Sequence, residues 1–155
     1  MIEIMSKLWI GDSNDEYGVL VNKQATIEGV LCVAQDMHVN YGWDDGVEYM
    51  HVGLIDGPGN EVGDYCAALL ALRTLMRRRA AVLVCDHEGG RALTVGIMYM
   101  ALIHKRPLHP TVMSHRKGWR HYLNQTPLKD TSGIRLHKSH LDMFDLIPFG
   151  LLEAL

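Results

Sequence analysis

Ala81-Val-Leu-Val-Cys-Asp-His-Glu-Gly-Gly-Arg91 is the stretch that decides the fold. It is a short apolar run, then a polar turn with two glycines, and it is followed by an uncharged segment over 92–103 that must end before Pro107. The run reads as a buried strand and the uncharged segment as a buried helix, well short of the roughly 20 residues of a membrane span. A strand that passes through such a loop directly into a helix makes an anion site. Loop amides and the first free N–H groups of the helix converge in one concavity, and the helix dipole adds positive potential there. Cys85, at the strand end, is expected to face that concavity. There the amides and the Arg91 guanidinium would hold a thiolate below its free pKa of about 8.5, making it a nucleophile. Arg91, six positions on, carries the planar fork suited to two phosphate oxygens, and the backbone of Asp86, His87, Glu88, Gly89 and Gly90 completes the expected cradle. The plainer reading is a buried cysteine acting as a small hydrophobe beside a surface arginine.

Outward from this segment, short runs rich in Val, Ile and aromatics alternate with helical patterns, which predicts an α/β domain with a central, mostly parallel sheet of four to five strands flanked by helices. Strands are expected over 7–10, 29–33, 49–54 and 81–85. Between the last two, Val62, Tyr65, Cys66, Leu69, Leu72 and Met76 recur at three- and four-residue steps, predicting a helix capped by Asn60 and closed by Arg77, Arg78 and Arg79. Further helices are expected near 111–124 and 139–155, the latter broken at Pro148. Residues 1–155 read as one domain, with 126–155 a C-terminal polar stretch and extra helix whose apolar end could cover either a partner or its own core.

The composition, 48% hydrophobic and 21% charged over 155 residues, is that of an ordinary globular domain. Its net charge of −3 hides a split: residues 1–65 carry 12 acidic against two basic residues, while 66–155 carry 13 basic against six acidic. Such a split is expected of a face that receives an anion, or of complementary solvated faces. No run is long enough to span a membrane, the first residues lack a basic, apolar leader, and three scattered cysteines are no disulfide framework; a reducing, cytoplasmic setting is expected.

These residues resemble the cysteine-based protein phosphatases, in particular the small dual-specificity type, which carry His-Cys-x-x-Gly-x-x-Arg-Ser/Thr between a strand and a buried helix. The resemblance extends over most of 7–125: Lys7-Leu-Trp-Ile-Gly-Asp12 is similar to the family's opening strand and turn, Gly29-Val-Leu-Cys-Val-Ala34 to its second strand, and Arg91-Ala-Leu-Thr-Val-Gly-Ile-Met-Tyr99 to the helix after the loop. It implies a metal-independent phosphomonoester hydrolase acting on a phosphorylated protein or small phosphoester, without cofactor, through a phosphocysteine on Cys85. Arg91 would hold the phosphoryl oxygens. Asp56, in Ile55-Asp-Gly-Pro-Gly-Asn60 and 29 residues before Cys85, would protonate the leaving oxygen and then activate water.

Three positions depart from the pattern: Val84 replaces the histidine, Glu88 the loop glycine, and Ala92 the hydroxyl residue after the arginine. A second register, shifted by one, sets Asp86 on the nucleophile position and leaves the loop one residue short. That register describes a pseudophosphatase binding a phosphorylated partner, since a carboxylate cannot replace the thiolate. The ungapped register is preferred, because shortening a loop whose amides converge on one anion is a larger change than three substitutions. Neither His137 with His140 nor His115 with His121 has zinc-helix spacing, so no metal site is expected. Lys105, Arg106, Arg116, Lys117 and Arg120 with Trp119 could serve nucleic acid, but read more simply as the solvated face of an amphipathic helix.

Overall fold

The structure, a computed structural model, describes residues 1–22, 26–38, 46–104, 136–148 and 150–154. Its centre is a sheet of β1 (Ile2–Met5), β2 (Leu8–Gly11), β3 (Gly29–Ala34), β4 (Glu48–Leu54) and β5 (Val82–Cys85), in the order β1-β2-β5-β3-β4. Among the described residues, the β1–β2 hairpin is antiparallel and the other three strand pairs are parallel, as the strand–helix alternation predicts. The edge strand β1 and the short helix α1 (Ser13–Leu20) are additions to the sequence reading. α1 is set by Asp12, whose side chain accepts from the Asp15 N–H while the Asp15 carboxylate accepts from the Asp12 N–H, each at 3.0 Å.

Successive strand side chains point to opposite faces, and β5 sits centrally enough to show both. Val82 and Val84 enter the larger core with Leu69 and Leu72 of α2 (Val62–Arg78) and Val95 and Met98 of α3 (Gly90–Ile103). Leu83 and Cys85 enter a second core with Val19 and Leu20 of α1 and with Val30 and Cys32 of β3. Helices therefore cover both faces.

Two expected boundaries change. Glu61, not Asn60, occupies the N-cap of α2, its N–H donating to the Asp64 carboxylate at 2.8 Å. Asn60 instead ties the preceding turn, accepting from the Ile55 N–H and donating to the Ile55 carbonyl, both at 2.8 Å. The helix expected over 139–155 is a short α4 (Lys138–Leu141) and two 3-10 turns, Phe144–Leu146 and Leu151–Ala154, with Pro148 between them. Leu141, Phe144, Ile147 and Leu152 are buried in the same core as α2 and α3, so this segment covers its own domain. The expected helix at 111–124, the polar stretch at 126–133 and the basic cluster lie outside the described residues. Among the described residues, no helix is long and apolar enough to cross a membrane.

α3 starts on Gly89, whose φ of 91° is the left-handed conformation that favours glycine. Further along, a Cβ on Gly96 would lie 2.5 Å from Ile4 Cδ1 and 2.8 Å from Ile10 Cδ1. That close approach holds the loop-bearing helix against β1 and β2.

Candidate functional site

The β5–α3 loop opens on a cavity of about 430 Å³, lined on the loop side by Asp86, His87, Glu88, Gly90 and Arg91 and opposite by Asp36, Asp56 and His137. The concavity expected from the strand–loop–helix order is present. Its occupant is a side chain of the loop itself. The Asp86 carboxylate is buried; one oxygen accepts from the Glu88 N–H at 2.8 Å and from the Gly89 N–H, and the other accepts from the Ala92 N–H at 2.9 Å. The Asp86 N–H turns away, donating to the Gly11 carbonyl at 3.4 Å. An internal carboxylate thus takes two of the loop amides expected to cradle a phosphate, those of Glu88 and Gly89, together with the Ala92 N–H in the first turn of the helix.

Arg91 is equally committed. Its guanidinium donates to the Leu54 carbonyl at 2.8 Å and to Asp36 at 3.0 Å, and its Nε lies 3.8 Å from the Asp86 carboxylate. Burial alone would raise the Asp36 carboxyl, but the hydrogen bond from Arg91 and the charges of Arg91 and His87 outweigh it and hold the group below its ordinary value. His87 pairs with Asp36 at 3.3 Å. Among the described residues, four carboxylates face this cavity against one arginine, whose bonds go to protein oxygens.

Cys85 does not face the concavity, which corrects the expected position of the nucleophile. Strand alternation places it with Leu83 on the α1 face, fully buried, where its Sγ donates to Glu16 Oε2 at 3.2 Å. The adjoining Cys32 thiol, burial and the negative charge of Glu16 push its pKa well above the ordinary thiol value, opposite to the expected activation. The residue that β5 delivers to the loop is the next one, Asp86, as in the shifted register.

Asp56 does reach the cavity, half-exposed and 3.1 Å from His137 Nε2. Its turn contains Gly57 and Gly59 at φ of 105° and 114°, and α4 clamps it. The Gly57 N–H donates to His140 Nε2 at 3.4 Å, while His140 Nδ1 lies 2.5 Å from the Tyr65 hydroxyl. A ring that accepts at Nε2 carries its proton on Nδ1 and is neutral. Burial, then the neighbouring His137, lowers its pKa to about 4. Asp36, Tyr65, His137 and His140 escaped the sequence reading as site residues; only the His137–His140 spacing drew notice, as a metal candidate.

No protein-family model matches the sequence, and no curated protein is detectably similar to it. Solved structures are. Human DUSP28 superposes with a TM-score of 0.63 at 16% identity, covering 94% of this chain and 96% of its own. Tk-PTP in its active form gives 0.62 at 18%, covering 99% and 96%. The tyrosine phosphatase OH1 from Orf virus gives 0.61 at 14%, covering 98% and 84%. The fold is that of the dual-specificity phosphatases. On that phosphatase fold, the central strand, loop and buried helix stand in the expected order, with Asp86 where the loop amides converge and Cys85 behind the sheet.

Proposed function

We propose that this chain is a pseudophosphatase: a dual-specificity phosphatase fold that works by binding rather than through a phosphocysteine. One observation carries the reading. The Asp86 carboxylate already holds the N–H groups of Glu88, Gly89 and Ala92, so an incoming phosphate would meet a fixed negative charge in place of those three donors. Cys85, buried against Glu16, has neither the access nor the charge state of a nucleophile. With Asp36, Asp56 and Glu88 at the same cavity, a partner bound there is favoured by a cationic group rather than by phosphate.

The test is hydrolysis of an aryl phosphate by the wild-type chain and by Cys85→Ser under reducing conditions, with vanadate binding followed by calorimetry. No turnover by either protein and no vanadate uptake by the wild type are expected. Turnover that disappears in Cys85→Ser would overturn the reading. It would restore the phosphocysteine mechanism, with Cys85 attacking phosphorus, Arg91 holding the phosphoryl oxygens and Asp56 donating the proton.

A further inference from the structure

On the face of the sheet away from the cavity, three groups that can bind a metal meet in the second core. Cys32 and Cys85 are paired directly across the parallel β3 and β5, so strand geometry puts both sulfurs on the same side. Glu16 reaches them from α1, and its carboxylate is 3.2 Å from Cys85 Sγ. The two sulfurs and a Glu16 oxygen all lie within 4.8 Å of one another, and all three residues are buried. In a tetrahedral zinc shell with Zn–S about 2.3 Å and Zn–O about 2.0 Å, ligand sulfurs stand about 3.8 Å apart and sulfur and oxygen about 3.5 Å apart. The 3.2 Å between Cys85 Sγ and Glu16 Oε2 is close to that sulfur–oxygen spacing, and no pair in the cluster exceeds 4.8 Å.

We propose that Glu16, Cys32 and Cys85 form a metal site that takes one thiophilic divalent cation, zinc or its analogues, with water in the fourth position. The ligands come from two adjacent strands and a capped helix, which fix their directions before the ion arrives. Binding balances as the ion displacing the two thiol protons: two S–H bonds break, two metal–sulfur bonds and one metal–carboxylate bond form, and two protons pass to solvent. Because the cluster is buried, the ion enters as the chain folds. The proposal requires Cys85 to face away from the cavity, and to that extent rests on the pseudophosphatase reading.

The experiment refolds the full wild-type chain under reducing conditions with cobalt(II), then exchanges it for zinc(II). One cobalt per chain is expected, with a thiolate-to-cobalt charge-transfer band and release of two protons per ion. Glu16→Gln should keep the band and weaken binding by about tenfold or more. Cys32→Ser with Cys85→Ser should abolish the band. Should that double variant fail to fold, X-ray absorption on the zinc-loaded wild type reads the same point, with a two-sulfur shell expected. A wild type without a charge-transfer band, a band that survives the double substitution, or a zinc shell without sulfur overturns the site. Cys85-dependent turnover of aryl phosphate overturns both readings, whereas no turnover and no cobalt band overturns the metal site alone.

Discussion

Replacing Asp86 by alanine removes the carboxylate from the loop and converts a self-capped cradle into an open one. Three backbone donors lose their acceptor, and Arg91 loses the carboxylate 3.8 Å from its Nε. Hydrogen bonds to an ionised group are each worth about 1.5–3 kcal/mol, but water entering from the adjoining cavity re-pairs much of what is stranded. A net loss near 1 kcal/mol per bond gives about 3 kcal/mol for Asp86→Ala. The same vacancy creates an anion site. A ligand at about 100 times its Kd returns about 2.7 kcal/mol to the native state, so the variant should regain most of its lost stability in millimolar inorganic phosphate while the wild type gains none. Urea denaturation with and without phosphate, in both proteins, reads both effects. Asp86→Asn should fall between them, because its amide keeps one oxygen for the Glu88 and Gly89 N–H groups and turns an NH2 toward that of Ala92. A loss below about 1 kcal/mol in Asp86→Ala, or a wild type stabilised by phosphate as much as the variant, would refute the claim that this carboxylate fills the cradle.

Other expectations follow from the surrounding structure. His140 is neutral in the fold and has a pKa of about 4 against an ordinary 6.5, so the unfolded chain binds the extra proton first. Its contribution is complete above pH 6.5 and is lost as pH falls toward 4, about 3 kcal/mol in all; denaturation midpoints should drop across that window more steeply in the wild type than in His140→Gln. Equal slopes would remove His140 from the account. Gly96→Ala should cost about 1–3 kcal/mol, since its Cβ would meet Ile4 Cδ1 at 2.5 Å, and Ile4→Val in the same chain should restore part of the loss; thermal unfolding checks both. Asp56→Asn, losing a half-exposed pair with His137, should change stability by less than about 0.5 kcal/mol, and a larger change by urea titration would mean that the pair holds the turn.

Residues 81–103 made the fold legible because strand, glycine loop and buried helix follow one another in the chain, and their order is a property of local sequence. The parallel sheet followed from the alternation of short apolar runs with longer helical patterns. The termini were harder. β1 is a four-residue edge strand of mixed burial, with a pattern too short to distinguish from a loop, and the C-terminal segment carries apolar residues without helical period because its turns are 3-10.

The sequence alone determined that a cavity with Arg91 and Asp56 at its edge would form where β5 meets α3. It could not determine which residue entered that cavity. Cys85 and Asp86 are neighbours, and in a strand neighbours point to opposite faces, so a register difference of one exchanges a thiol for a carboxylate. Loop length favours the ungapped register, but no residue of the loop reports what lies behind the sheet. There α1 supplies Glu16 and β3 supplies Cys32, two partners remote in sequence that give Cys85 a buried place to go. Only the tertiary packing brings those partners together, and with them the decision that Asp86, not Cys85, meets the loop amides.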